Sequence, residues 1–229
     1  MSLYFYGVSH AAQHLDMAAS VRGLEIASCL GDASTVFICD DTPTNDEGIR
    51  NQEYIHKLCL DVIEEVSGSE TSIIITSQVE PGFTRKIADL ASWYVFHQAE
   101  TLRIKDAFHR AIAPDYIIVG GEDCPNGEYA KYLLSFGCPI ILGTWEDAEF
   151  SKIAVNMMLA AQVERTNMLA EAAAKVGANW EKVCQALRAD KRIGPEAYLT
   201  PGRWEESSHL LRDWVTLEQI RTQKPSSDG

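Results

Sequence analysis

The stretch TVFIC, residues Thr35–Cys39, decides the fold class of this 229-residue chain. It is a run of β-branched and aromatic residues without polar alternation, which is typical of a strand that is covered on both faces. A strand of this kind needs helices above and below it, so the run predicts an α/β fold with a parallel sheet. Three similar runs follow along the chain: SIIIT at Ser72–Thr76, YIIV at Tyr116–Val119 and PIIL at Pro139–Leu142.

Segments of helical periodicity lie between these strands, so strand and helix alternate along the chain. After the strand at Thr35–Cys39, apolar residues recur from Ile55 to Val66 at the spacing of an amphipathic helix. The alternation predicts a Rossmann-like sheet. Further helices are predicted at Ala11–Val21, from Thr84 onward and at Glu128–Phe136, and further strands at Leu3–Val8 and Leu24–Ser28.

The character of the chain changes after Trp145. Residues Ala148–Lys175 contain no Gly or Pro and are rich in Ala, Leu, Met and Glu, which predicts one long helix. Gly177 is expected to end it, and Trp180–Leu187 is expected to form a second, short helix. We therefore predict a Rossmann-like domain at 1–145, a long helix with a small all-helical domain at 146–222, and a tail at 223–229.

The composition argues against some classes of function. A formal net charge of -13 disfavours a nucleic-acid partner or an anionic membrane surface, because both are bound by clustered Lys and Arg. No stretch reaches the ~18 apolar residues that a membrane span needs. The six cysteines are scattered without a C-x-x-C pair, so we expect no metal site and free thiols in a reducing cytoplasm.

Five parts of the chain carry a family resemblance when they are taken in order. They are VFICDDTPTNDEG at Val36–Gly48, TSQVEPGFTRK at Thr76–Lys86, ETLRIKDAFHRAIAPDYIIVGG at Glu100–Gly121, AEFSKIAVNMMLAAQVERTN at Ala148–Asn167, and DKRIG at Asp190–Gly194 followed by LTPGRWEESSHLLRDW at Leu199–Trp214. They resemble motifs of the UDP-glucose/GDP-mannose dehydrogenase family, the nucleotide-sugar 6-dehydrogenases, and R-I-G looks more like the UDP-sugar branch. Family members carry a third, C-terminal domain that we expect this chain to lack, and the N-terminal βαβ unit here is compressed.

The resemblance implies a reaction and shows where this chain departs from it. Family members remove two hydrides from a sugar CH2OH, and the second step needs a cysteine thiolate that holds the aldehyde covalently. The matching position here is His209, which follows Glu206, Ser207 and Ser208. An imidazole does not readily replace a thiolate in these steps. His209 is therefore either an ordinary surface histidine or a catalytic base.

Other residues match the family's catalytic groups more closely. Lys152 and Asn156 match a lysine and an asparagine on the long helix, where their i, i+4 spacing places them on one face to stabilise an oxyanion. The alternative is a solvated lysine and an asparagine that pairs locally. Asp213 matches a family acid, and Arg212 replaces the family's lysine while it keeps the positive charge and a role in substrate binding.

The groups that the resemblance assigns to hydrolysis are depleted. Glu100 matches the first glutamate of E-F-L-x-E, but the second position is Ile104, and Gln78 stands where the family has a threonine that helps position water.

Arg192 matches an arginine that reaches the sugar nucleotide across the dimer interface, which suits a guanidinium. Its alternative role is that of a cation at a helix C-terminus.

The cofactor fingerprint is weak. After the first strand the family has G-x-G-x-x-G, and Gly7, Ser9 and Ala12 stand in those positions. Alanine is tolerated at the third position, but serine at the second adds a side chain where the backbone approaches the pyrophosphate. NAD binding through these residues therefore stays open on the sequence alone.

Two functions of different class remain. One is an NAD-dependent oxidoreductase that performs a single two-electron step on a nucleotide sugar. The other is a non-catalytic, nucleotide-sugar-binding or assembly protein with a degenerate active site, which keeps the fold and a homodimer. The long helix carries more apolar residues than a small helical domain can cover, among them Met157, Met158 and Met168, and this favours a two-fold dimer.

Overall fold

The computed structural model of the protein describes residues 2–66, 71–91, 94–102 and 107–223. Ile104 and tail residues 224–229 lie outside these ranges. The chain forms two compact units, which are described separately: unit 1 comprises Met1–Pro43 and Arg50–Lys152, and unit 2 comprises Thr44–Ile49 and Ile153–Gly229.

The described part of unit 1 contains a six-stranded sheet in which neighbouring strands follow the order of the sequence. The strands are β1 (Leu3–Tyr6), β2 (Thr35–Ile38), β3 (Ser72–Ile75), β4 (Val95–Gln98), β5 (Ile117–Gly120) and β6 (Ile140–Gly143). Within the described residues of unit 1, five helices alternate with these strands, and this confirms the predicted α/β fold class. They are α1 (His10–Val21), α2 (Gln52–Glu65), α3 (Phe83–Ala88), α4 (Ala107–Ile112) and α5 (Gly127–Ser135).

The chain first extends the sheet on one edge of β1, at the bridge of Ile26, and then on the opposite edge, at β2. Leu3 pairs with β2 on one edge, and on the other edge its N–H and carbonyl bond Glu25 and Ala27, both at 2.8 Å. The strand predicted at Leu24–Ser28 is therefore only a single parallel bridge at Ile26. The helix α1 leads to one side of β1, whereas β2 lies on the other, so a topological switch point opens at the carboxyl ends of β1 and β2.

One strand pair corrects the expectation of a parallel sheet. The strands β4 and β5 are antiparallel, whereas every other neighbouring pair is parallel. The connection through α4 returns the chain to the carboxyl end of β4, and β5 starts there and runs backward. Sheets that combine parallel and antiparallel strands in this way are common in α/β proteins.

The sheet is covered on both faces, as the apolar runs predicted. One face packs Phe37 and Ile74 against Leu15 of α1 and Tyr129 of α5. The opposite face packs β2 and β3 against α2 and α3, with Ile55 fully buried. Burial of one such aliphatic or aromatic side chain stabilises the fold by about 1.5–3 kcal/mol, so these two layers supply most of the favourable energy of unit 1.

The strand β4 was not predicted from the sequence, because two of its four residues are polar. Both polar side chains are nevertheless buried, and each has a hydrogen-bonding partner. The Nδ1 atom of His97 lies 3.3 Å from the Thr84 hydroxyl. The Tyr129 hydroxyl donates to the Gln98 carbonyl oxygen at 3.2 Å. Such pairing is what allows polar residues inside a doubly covered sheet.

The long helix, α6 (Trp145–Lys175), begins three residues before the predicted start. Its first turn closes a capping box, in which the Thr144 hydroxyl accepts from the Asp147 N–H at 3.1 Å and the Asp147 carboxylate accepts from the Thr144 N–H at 2.8 Å. Its end at Gly177 confirms the prediction. Gly177 has φ +73°, and the Ala178 N–H bonds the carbonyl of Ala173, which is a Schellman motif.

Unit 2 contains the part of α6 from Ile153 onward and two further helices, α7 (Trp180–Ala189) and α8 (Ser208–Thr222). The Asn167 side chain fixes the segment between these two helices, because its amide bonds both the N–H and the carbonyl of Gly202, at 2.9 and 2.7 Å. Among the described residues, no helix is long and apolar enough to cross a membrane.

The buried His97 makes the stability of the protein depend on pH. Burial lowers the pKa of His97 from 6.5 to about 3. The native state therefore binds fewer protons than the unfolded state below pH 6.5, and stability falls by about 1 kcal/mol for each pH unit toward pH 3. Urea unfolding at pH 7, 6 and 5 should show this loss in the wild type and a shallower one in His97→Gln. Equal pH profiles for the two proteins would contradict the assignment.

Candidate functional site

A buried side-chain pair lies at the centre of unit 2. Asp213 on α8 is fully buried, and its Oδ2 atom accepts a hydrogen bond of 2.6 Å from the Asn156 amide on α6. The Arg212 guanidinium, also buried, lies with its Nε atom 3.9 Å from Asp213 Oδ1. The structure thus brings Asn156, Asp213 and Arg212 together, three residues that the family resemblance places in one site. A buried carboxylate needs this combination of an amide donor and a cation.

His209 stands beside this group on the first turn of α8. It is exposed, and its Nδ1 atom lies 3.2 Å from Nη2 of Arg212, which precedes Asp213 on the same helix. The spacings of three and four residues put His209, Arg212 and Asp213 on one face of α8. Because a guanidinium can only donate, this contact is a hydrogen bond if Nδ1 is unprotonated, with the ring proton on Nε2.

The two remaining cations of the prediction are Arg192 and Lys152. Arg192 follows α7, and its exposed guanidinium forms a bidentate contact with Asp190, with hydrogen bonds of 3.0 and 2.6 Å. Hydrogen bonding to Arg192 lowers the pKa of Asp190. Lys152 is a half-buried residue of α6 at the end of unit 1.

In unit 1, Glu100 and Gln78 meet beyond the ends of β4 and β3. The Gln78 amide donates to Glu100 Oε2 at 3.2 Å, and the other carboxylate oxygen accepts from the Leu102 N–H. Glu100 lines an open pocket together with the polar residues Gln98 and Arg110. The amide at position 78 therefore donates a hydrogen bond to Glu100, whereas the family resemblance places at this position a threonine that helps to position water.

The turn after β1 is closed by a carboxylate that was not predicted as a site residue. Gly7 has φ +136°, a conformation that favours glycine, and a Cβ atom at this position would lie 3.1 Å from both N and Oδ1 of Asp40. Asp40 follows β2, is buried, and accepts from the Val8 N–H at 3.0 Å. Its other oxygen accepts from the Tyr54 hydroxyl at 2.5 Å. The sequence carried a signal, since the family motif has an apolar residue where Asp40 stands.

Ser9, which stands at the second position of the fingerprint, caps the N-terminus of α1. The Ser9 hydroxyl accepts from the Ala12 N–H at 3.1 Å and donates to the Cys39 carbonyl at 2.5 Å. Ser9 is thus the N-cap of α1, and it is buried. An N-cap serine satisfies one of the N–H groups that a helix N-terminus would otherwise direct at an anion.

The residues of this turn do not fit the pyrophosphate of a dinucleotide. The N–H groups of Val8 and Ala12 are bonded within the chain, and the Asp40 carboxylate touches the turn through Val8. Two like charges about 4 Å apart near a protein surface repel by about 4 kcal/mol. A repulsion of this size exceeds the net gain of about 0.5–1.5 kcal/mol from one hydrogen bond, so a phosphate close to Asp40 would be disfavoured.

Comparison with known proteins supports the resemblance. The model of the UDP-glucose/GDP-mannose dehydrogenase family, central domain, matches residues 146–224. The UDP-glucose 6-dehydrogenase of Pseudomonas aeruginosa is 27% identical over 217 residues, which cover 85% of this chain and 46% of that protein. UDP-glucose 6-dehydrogenase YwqF of Bacillus subtilis is 28% identical over 200 residues, with 83% and 45% covered. The chain therefore spans less than half of the length of these relatives.

A solved structure shares the fold. It is that of a UDP-glucose dehydrogenase from the hyperthermophilic archaeon Pyrobaculum islandicum, with a TM-score of 0.75 and 19% identity, covering 96% of this chain and 63% of the other. The match at residues 146–224 includes Asn156 and Asp213, the pair that the structure brings together. On the ordered motifs, the family match and the common fold, residues 146–224 of this chain are similar to the central domain of the UDP-glucose/GDP-mannose dehydrogenase family, and the chain shares the fold of a UDP-glucose dehydrogenase.

Proposed function

We propose that the protein is a non-catalytic member of its family, which keeps the fold, binds a nucleotide sugar and assembles as a homodimer, but does not oxidise the sugar to an acid. The observation that carries this proposal is His209 at the position where the family resemblance places the cysteine nucleophile. It stands on an exposed first turn with its Nδ1 atom 3.2 Å from a buried arginine. Covalent capture of an aldehyde needs a thiolate that can approach the carbon to about 3–3.5 Å.

The three buried cysteines give no substitute for this thiolate. Burial raises the pKa of both Cys39 and Cys59 to about 12, so their thiols are neutral at physiological pH. Cys184 in unit 2 is buried as well, with its sulfur 3.7 Å from the Leu199 carbonyl. None of the six cysteines, all within the described residues, forms a disulfide. Unpaired cysteines suit a reducing compartment, and we assign the protein to the cytoplasm on this ground.

The retained pair of Asn156 and Asp213 is compatible with a loss of catalysis. Removal of one partner from a buried, hydrogen-bonded charge costs about 3–5 kcal/mol, because the other partner is left unsatisfied. Asp213 therefore has a structural reason to persist beside Arg212 whether or not the site turns over. Its presence supports a conserved scaffold more directly than it supports a reaction.

The alternative function is a single two-electron oxidation or reduction of a sugar nucleotide with NAD. The intact pair of Asn156 and Asp213 favours it, and Lys152 would assist as the cation that stabilises an alkoxide. This alternative needs a hydride acceptor. The turn of Gly7, Ser9 and Ala12 does not provide a pyrophosphate site in its present geometry.

The first prediction concerns the product. Incubation with NAD and UDP-glucose or related UDP-sugars should yield no sugar acid, because the covalent step has no nucleophile at position 209. His209→Cys alone should not restore full activity, since Gln78 remains bonded to Glu100. Mass spectrometry measures the product, with the Bacillus subtilis relative as the positive control. Stoichiometric sugar acid with two NADH per sugar would show that the role given to His209 is wrong.

The second prediction concerns the nucleotide sugar. Arg192 is exposed and paired only within its own turn by the contacts above, so Arg192→Ala should leave the fold intact. A UDP-sugar at about ten times its Kd stabilises the native state by about 1.4 kcal/mol, a rise in Tm of about 3–5 °C. Arg192→Ala should abolish most of this rise, whereas Lys191→Ala should retain it. Calorimetry that detects no UDP-glucose binding at millimolar ligand would rule out a retained sugar-nucleotide pocket.

The third prediction concerns assembly. Exposed apolar side chains recur along α6 in unit 2 at Val155, Met158, Met168 and Leu169. A two-fold dimer through this face would bury them. Light scattering should give a dimer mass at micromolar concentration. Met158→Lys should weaken the dimer at least tenfold, and Leu134→Lys, an equally exposed apolar position in unit 1, should leave it unchanged. A monomeric wild type would contradict the assignment.

A further inference from the structure

The carboxylate of Asp40 lies at the topological switch point of the sheet in unit 1. It lies at the carboxyl end of β2, next to the end of β1, where the order of strands reverses. Open α/β sheets bind their ligands in the crevice at this point. In dinucleotide-binding folds the first turn directs its N–H groups at the pyrophosphate, but here the Val8 N–H donates to Asp40 Oδ1 at 3.0 Å.

The carboxylate is fixed in this position by its surroundings. The Tyr54 hydroxyl donates to Oδ2 at 2.5 Å, and the Ser77 hydroxyl donates to the backbone carbonyl of Asp40 at 2.6 Å. Hydrogen bonding to Asp40 raises the pKa of Tyr54, so Tyr54 keeps its proton and remains a donor. A side chain held from both oxygens does not swing aside for a ligand without the loss of two hydrogen bonds.

The position that usually binds the ribose of a dinucleotide also argues against a dinucleotide in this crevice. Dinucleotide-binding folds place an acidic residue about 20 residues after the first glycine, where it bonds the ribose hydroxyls. Counted from Gly7, this position falls on Ala27, which lies beside Leu3 in the bridge at Ile26 and is followed by Ser28. Neither Ala27 nor Ser28 carries a carboxylate, and the nearest acidic residue is Glu25, whereas the carboxylate of Asp40 accepts the Val8 N–H of the first turn.

From these contacts we infer that Asp40 is a specificity-determining residue that excludes dinucleotides from the switch-point crevice of unit 1. Its carboxylate is a built-in anion that takes the place of the cofactor phosphate at the Val8 N–H. The inference concerns unit 1 alone and does not depend on His209 or on the role of unit 2.

The test compares Asp40→Val, which introduces the residue of the family motif, with Asp41→Val, which removes the same charge from the exposed neighbouring position. NADH is titrated by its fluorescence, and ADP and inorganic pyrophosphate by calorimetry. Wild type and Asp41→Val should show no saturation at millimolar ligand. Asp40→Val should bind all three probes at least tenfold more tightly, and pyrophosphate should shift the amide resonance of Val8 only in this variant.

Two outcomes would overturn the inference. One is submillimolar binding of NADH by the wild type with a shift of the Val8 amide. The other is a folded Asp40→Val protein that binds no more tightly than Asp41→Val. If Asp40→Val does not fold, Asp40→Asn decides instead, because it keeps the shape and removes the charge. It should then bind pyrophosphate at least tenfold more tightly than Asp41→Asn, and equal affinities would overturn the inference.

Discussion

The structure of unit 1 depends on the burial of two adjacent strands, β2 and β3, from both sides. The apolar residues of Val36–Ile38 and Ile73–Ile75 have no exposed surface. Helices must therefore cover both faces, and this leaves the strand ends as the places where polar groups can collect. Cys39 and Asp40 follow β2 directly, and Thr76 to Gln78 follow β3. The geometry of the crevice is thus a consequence of the core.

Three buried carboxylates each accept hydrogen bonds from N–H groups of other segments of the chain. Asp40 is bonded by a peptide N–H, Asp213 by an asparagine amide, and Glu149 of α6 by the N–H groups of Gly82 and Thr84. A charge out of water needs such donors, and once they are present the group is costly to remove. Conservation of an acid from an enzyme family can therefore reflect packing alone. The residue at position 209 is more informative about function, because it is exposed and burial does not explain its identity.

The differences between prediction and structure have a common cause. The sequence pattern does not predict β4, because His97 and Gln98 break its apolar run, and their partners Thr84 and Tyr129 make them compatible with burial. Asp40 was noted as part of a motif and not as a site, because its effect depends on Val8, which lies 32 residues earlier in the chain. A sequence pattern reports local periodicity and composition, whereas a polar residue acquires its meaning from the atoms opposite it.

The α/β class, the end of the long helix at Gly177 and the family resemblance could be predicted from the sequence, because they rest on local apolar runs, on the preference of glycine for a helix C-terminus and on ordered motifs. The family resemblance also selected Asn156 and Asp213, which the structure joins by a hydrogen bond. The tertiary structure decided the antiparallel pair of β4 and β5, the reduction of Leu24–Ser28 to one bridge, and the closure of the first turn. These depend on which strand edges meet and on which donor reaches a carboxylate, and such contacts join residues that are far apart in the chain.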